Sequence, residues 1–180
     1  MKRKPNKDPA GRPYLDLSRS DFKKSPLRMA GYYSVMQERF FIAFGDRANF
    51  ALSSVPSHLT VNVSEYALSF ISAVSARMLL VLGRAEEISV KLQEEEEGVL
   101  LSISAEIEKS RALLKSLAIN RQYFTLMAES CGFTWDLSLE EKHALVTIRL
   151  PAYTPDSYDV SEEPLSPSDD PFLLALSYPL

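Results

Sequence analysis

The sequence is poor in the residues that usually announce chemistry. It has one cysteine, two histidines and six glycines among 180 residues. The lone Cys131 has no partner for an internal disulfide, which fits a reducing, cytoplasmic setting. It has no second cysteine with which to hold a metal, and the two histidines lack the His-Glu-x-x-His spacing of a zinc site. The glycines stand singly, so there is neither a phosphate-cradling glycine loop nor a Gly-x-Ser-x-Gly elbow. No run of about 18 apolar residues exists, so no membrane-spanning helix is expected. The start, MKRKPNKDPAGRP, is basic, yet no apolar stretch follows it, and a secretory signal is not expected.

What is present is the makeup of a globular domain. Apolar residues are 46% and charged residues 24%, and the length suffices for one domain with a sizeable core. The net charge of -4 conceals two opposed ends. Residues 1–28 carry nine Lys or Arg against three acids, and residues 153–180 carry six acids and no base. Solvated tails account for both. The alternatives are a basic arm that touches an acidic surface, or tails that attract each other. No basic stripe crosses the middle of the chain, so nucleic acid is not an expected partner.

Residues 1–24 bury too little apolar surface to order and read as a basic disordered arm. Residues 25–48 read as an N-terminal helix, with Ser25 as cap and Pro26 at its first position. Leu27, Ala30, Tyr33, Met36, Phe40 and Phe44 recur at helical spacing, and Gly45 stops it. Residues 49–152 form the main domain. Asn49 to Ser54 is a short strand, and Leu59, Val61 and Val63 alternate in another. Ser64-Glu65 opens a helix whose buried face is Leu68, Ile71, Val74, Ser75, Met78 and Leu82, closed by Gly83. Ile88, Val90 and Leu92 alternate on one side of four glutamates, and Val99, Leu101, Ile103 and Ala105 on the other, which predicts a β-hairpin. The glutamates read as its solvated tip rather than as a site for a metal or a basic partner. Residues 106–131 are helical, with a stripe of Leu113, Leu117, Phe124 and Met127 and room for a break near Ser116. After Gly132, Phe133, Trp135 and Leu137 pair with Ala144, Val146, Ile148 and Leu150 in a second hairpin that Pro151 ends. Residues 153–180 are an acidic, Pro/Ser-rich tail, expected to be extended or disordered. Its apolar end around Phe172 to Leu176 has docking on the domain or on a partner as the alternative.

The order strand, strand, helix, hairpin, helix, hairpin resembles the ATP-binding domain of sensor histidine kinases. That fold, a two-layer α/β sandwich with a mixed sheet, is shared with gyrase, MutL and a class of heat-shock chaperones. The resemblance covers about Phe50 to Pro151. It is strongest over Leu117-Ala118-Ile119, Ala128-Glu129, Gly132 and Ile148-Arg149-Leu150-Pro151, which match the family's closing helix and hairpin. The helix from Ser64 stands where the family has its asparagine-bearing helix, and the helix before it resembles the end of a kinase dimerisation region.

The resemblance also shows departures. The family pattern Asn-Leu-x-x-Asn-Ala supplies an oxygen ligand to the Mg²⁺ that bridges the nucleotide phosphates, a metal that takes hard oxygen donors. Ala73 and Arg77 stand at those places. The family's Asp-x-Gly-x-Gly, whose aspartate accepts from the adenine amino group, falls near Ala105 and Glu106 with neither aspartate nor glycine. About ten residues without a glycine remain for the lid, and the glycine that lets phosphate approach the last helix is Ser116. Two exceptions stay open: Arg77 as an anion site, and Glu106 in place of the aspartate by a shift of one residue.

The other reactive side chains have plainer readings. His58 in a loop and His143 at a strand start read as surface residues. Cys131 near a helix C-terminus is a poor nucleophile, because the helix dipole disfavours a thiolate there. Trp135 reads as core. What the resemblance implies is a degenerate relative of the ATPase, without catalytic residues, metal or cofactor. It would serve as a cytoplasmic regulatory or protein-interaction module of bacterial two-component signalling, with a kinase or response regulator as partner. The alternatives are a phosphotransferase, and a kinase or ATPase with a remodelled pocket. The nucleotide question turns on whether Phe70, Met78, Leu114 or their neighbours pack the space beside Arg77 shut.

Overall fold

A computed structural model describes residues 22–51, 55–153 and 170–180. Most of the basic arm, and the tail over 154–169, for which disorder is expected, lie outside the described residues.

One layer is a five-stranded mixed sheet in the order β2-β4-β5-β7-β6. It comprises β2 (Ala48–Phe50), β4 (Ile88–Glu95), β5 (Gly98–Glu106), β6 (Thr134–Leu139) and β7 (His143–Pro151). β2 runs parallel to β4 and every other pair is antiparallel. Both predicted hairpins form with the predicted faces inward. Ile88, Val90, Leu92, Val99, Leu101, Ile103 and Ala105 are buried, as are Trp135, Leu137, Ala144, Val146, Ile148 and Leu150. Alternation with period two dictates this, since successive side chains leave opposite faces of a strand. The glutamate tip is shorter than the sequence suggests. Glu95 pairs with Gly98, so only Glu96 and Glu97 make the turn.

The second layer is helical. α1 (Met29–Phe44), α2 (Glu65–Val81) and α3 (Arg111–Ser130) cover one face of the sheet. The fold class is thus the expected two-layer α/β sandwich. α2 and α3 lie antiparallel, tied at both ends. The Ser64 amide donates to the Cys131 carbonyl at 3.0 Å, and the Ser110 hydroxyl donates to the Leu82 carbonyl at 2.5 Å. Both serines are also caps. Ser64 accepts from the Ala67 amide and Ser110 from the Leu113 amide, which satisfies a donor that a helix start otherwise leaves open.

Three boundaries differ from expectation. Ser25 and Pro26 do not open α1. They belong to β1 (Ser25–Arg28), which pairs antiparallel with β3 (Thr60–Val63) in a separate two-stranded sheet. Proline is tolerated at such an edge, and the long-range pairing with β3 outcompetes the helix start at Ser25, so α1 begins after Arg28 without a side-chain cap. α3 begins at Arg111 and runs unbroken through Ser116. The chain's last residues are ordered: α4 (Pro171–Ser177), capped by Asp170, packs over α2. With α4 outside it and the sheet beneath, α2 is buried on all sides from Tyr66 to Ala76.

Candidate functional site

The positions that bear on function gather along α2, α3 and the end of β5. Ala73 is fully packed on α2. One turn on, Arg77 is half-buried and donates to the main-chain oxygens of Ala175, at 3.3 Å, and of Tyr178. Burial lowers its pKa from the ordinary value, since desolvation penalises the charged form. Its donors are therefore directed at the chain's own end, against the reading of Arg77 as an open anion site.

Tyr178 lies where α2 and α3 face each other from outside the sheet. Its ring meets Phe70 of α2 edge-on at 5.4 Å and Phe124 of α3 at 5.9 Å. Its hydroxyl donates to Asn120 Oδ1 at 3.4 Å, and Asn120 Nδ2 donates to Ser116 Oγ at 3.1 Å. Ser116 is thus a buried member of a polar chain in the second turn of α3, well inside the helix. It does not start the helix, and no phosphate can reach α3 amides there, because residues past the first turn bond within the helix. The signal missed in the sequence is the terminal tyrosine. An apolar end with an aromatic beyond Leu176 has a ring to bury, and α2 offers it an apolar outer face.

At the sheet, Ala105 points into the core and pairs with Ala144. Glu106 follows on the opposite, exposed face and pairs with His143. Period two places it on the side of the sheet away from the helices. Four residues, Ile107–Ser110, connect β5 to α3, fewer than the ten or so that the sequence suggested. Ile107 is buried, and its amide donates to the Lys142 carbonyl at 2.9 Å. Glu108 donates from its amide to the Gly83 carbonyl at 2.8 Å. This connection is pinned along its length and leaves no chain for a lid.

Ala73 offers no oxygen, Arg77 brings a cation, and Mg²⁺ takes oxygen donors. Phe70 and Met78 are fully buried, whereas Leu114 is exposed, and the Tyr178 ring meets both Phe70 and Phe124. Clefts of about 570, 630 and 790 Å³ open elsewhere. The first lies beside the glutamate tip, the second at the Glu106 end of the sheet, and the third between α3 and β6. Ala73, Arg77 and Ser116 line none of these three.

The remaining reactive groups stay apart. His58 is exposed, with Nε2 3.8 Å from Glu94 Oε1, and His143 is exposed at the start of β7. Cys131 is buried, and its thiol is pushed up to about 11 by that burial. Trp135 lies in the core and donates from its indole N–H to Ser75 Oγ at 3.0 Å. Among the described residues, no helix is long and apolar enough to cross a membrane, and no group of His, Cys, Asp and Glu could hold a metal ion.

No protein-family profile and no curated protein matches the sequence. Solved structures do match by shape. The ATP-binding domain of PrrB from Mycobacterium tuberculosis superposes with a TM-score of 0.56 at 13% identity, over 73% of this chain and 99% of that one. The histidine kinase AdeS of Acinetobacter baumannii gives 0.54 at 8% identity, over 73% of this chain and 68% of that one. The nucleotide-free catalytic domain of the histidine kinase ThkA gives 0.52 at 9% identity, over 72% of this chain and 95% of that one. The chain therefore has the fold of the histidine-kinase ATP-binding domain.

Proposed function

We propose that this chain is a non-catalytic regulatory or protein-interaction module of two-component signalling, built on the kinase ATP-binding fold and working without ATP. The main domain over residues 49–152 is the degenerate ATPase unit, and a kinase or response regulator is its partner. Fold and activity separate readily, because a site is grafted on a fold. One observation carries the reading. Arg77, at the place of the family's metal-binding asparagine, holds the chain's own C-terminal carbonyls, while Tyr178 fills the space between Phe70 and Phe124. The pinned connection from Ile107 to Ser110 supports it, because no lid can fold over phosphates from there.

Isothermal calorimetry of the full chain with ATP and Mg²⁺ tests the reading. The expected result is no heat of binding at millimolar nucleotide. Micromolar affinity, lost in Arg77→Ala, would replace it with the remodelled ATPase. Incubation with a phosphorylated receiver domain tests the phosphotransferase alternative, by His58 or by a histidine-independent route, which phosphate appearing on His58 would support.

A further inference from the structure

The C-terminal segment is attached the way a peptide ligand is. Asp170 caps α4 by accepting from the Phe172 amide at 2.9 Å, and pairs with Arg39 of α1 at 3.1 Å. Phe172 stands edge-on to Phe40 of α1 at 6.0 Å. Ala175 is fully buried, and Tyr178 lies between α2 and α3. Phe172 and Ala175, three residues apart on α4, share one face, Tyr178 follows in extended backbone just past the helix end, and Leu173 points to solvent. At the far end Arg77 receives the Ala175 and Tyr178 carbonyls. These are acceptors that the end of any helix leaves without partners.

We propose that Asp170–Leu180 is a releasable strap seated in a helix-binding groove of α1, α2 and α3. The groove's competing occupant is an amphipathic partner helix with the same aromatic–small–aromatic spacing and its C-terminal end at Arg77. The proposal rests on the interaction-module reading and names the surface that module uses. α4 has seven residues, far below the length at which a helix holds itself in water. The frame around its seat, in contrast, is held by other contacts. The sheet, both serine caps and the ties between Ser64 and Cys131 and between Ser110 and Leu82 involve no residue of the strap. Segments held by few buried side chains open well below the free energy of global unfolding. Sixteen residues, 154–169, tether the strap to Tyr153. Because the strap belongs to the same chain, its concentration at the seat does not depend on that of the protein. A partner helix binds only by outcompeting that, so the strap sets a threshold.

The test uses the full chain with a protease site inserted between residues 154 and 169. A fluorescent peptide of residues 170–180 is titrated against the intact chain, and against the cleaved chain freed of its own tail. The expected result is at least tenfold tighter binding to the cleaved chain, and at least a tenfold loss with the Tyr178→Ala peptide. Binding to neither chain, or equal binding to both, overturns the proposal. So does loss of the far-ultraviolet circular dichroism of the sandwich when the tail leaves, which would make α4 integral to the core. Hydrogen exchange on the uncleaved chain reads the same device independently. Amides of α4 should exchange while those of α2 stay protected, and exchange only through global unfolding overturns release. ATP binding found by calorimetry would remove the non-catalytic reading without touching these results. A failed exchange of the strap would leave that reading in place.

Discussion

Arg77 donates to the main-chain oxygen of Tyr178, 101 positions further along the chain, and so joins the last turns of α2 to the chain's end. Hydrogen bonds from a charged donor contribute about 1.5–3 kcal/mol when buried. Arg77 is only half-buried, so about 1–2 kcal/mol is the expected cost of Arg77→Ala, read as a lower urea midpoint at unchanged slope. Arg77→Lys should recover part of the loss, because it keeps the charge and forfeits the planar fork. Arg77→Asn restores the family's residue type and should still bind no ATP, because Ala73 and Tyr178 remain.

Tyr178→Ala removes an aromatic ring that is 2% exposed. In a closed core such a truncation costs about 3–5 kcal/mol. Here the loss has a ceiling, since a weakened strap can leave its seat and α2 then meets water. About 1–3 kcal/mol is expected. The double variant Arg77→Ala, Tyr178→Ala should cost clearly less than the sum of the singles, because both act through one docked segment. Full additivity in urea melts would argue that the two residues serve separate structures.

The sandwich was legible because each of its signals is local. Alternation along Ile88–Leu92, Val99–Ala105 and Ala144–Leu150 needs no partner to be read, and the buried faces follow it. What was not legible depends on distant pairing. Ser25-Pro26 is a sound helix start taken alone, yet β3 supplies a partner strand from 35 or more positions away. Ser116 was read as a helix start because the family places a glycine there, but the real cap is Ser110, whose hydroxyl also holds Leu82. The docking of α4 had one overlooked trace. Tyr66 to Ala76 is rich in small and apolar residues on every side, and a helix apolar all round has to be covered all round.

Trp135 and Ser75 offer a cleaner pairwise test than the strap, since both sit in the core. Ser75 is fully buried and accepts from the indole N–H. Ser75→Ala leaves that donor without water or partner, at an expected cost of about 1–3 kcal/mol. Trp135→Phe removes the donor along with part of the ring. In the double variant, Ser75→Ala should then cost markedly less than it does alone. Urea melts of the four proteins give the coupling, and a coupling near zero would show that the hydrogen bond carries no stability.

Gly98 is required by contact with backbone. A Cβ there would lie 2.1 Å from the Leu150 carbonyl oxygen and 2.9 Å from the Ala152 amide nitrogen, at φ +157°. No side-chain rearrangement relieves a clash with main chain. Gly98→Ala should cost at least about 3 kcal/mol, above the usual range for overpacking, by forcing β5 and β7 apart at their paired ends. Gly31, with open space around it, is the control, and Gly31→Ala should leave the melting temperature unchanged or raise it slightly. Equal melting temperatures for the two variants would contradict the β5–β7 register.

Cys131 links stability to alkaline pH. It is 1% exposed at the end of α3, and burial raises its thiol from the ordinary 9.0 to about 11, against smaller opposing effects of Ser64 and Lys24. The folded state therefore keeps a proton that the unfolded chain gives up between those values. Where the unfolded state binds fewer protons, stability falls as pH rises. The contribution is whole below pH 9 and is lost through about pH 11. Cys131→Ala should flatten this decline over that window. Tyr32, also raised by burial from its ordinary 10.0, adds a slope of its own that begins within this window and continues above it, and that the variant keeps. The same burial should make the thiol unreactive in the native protein, with Ellman's reagent reporting rapid release only in denaturant. Rapid stoichiometric reaction of the folded chain at pH 8 would mean that Cys131 is not packed between α3 and the start of α2.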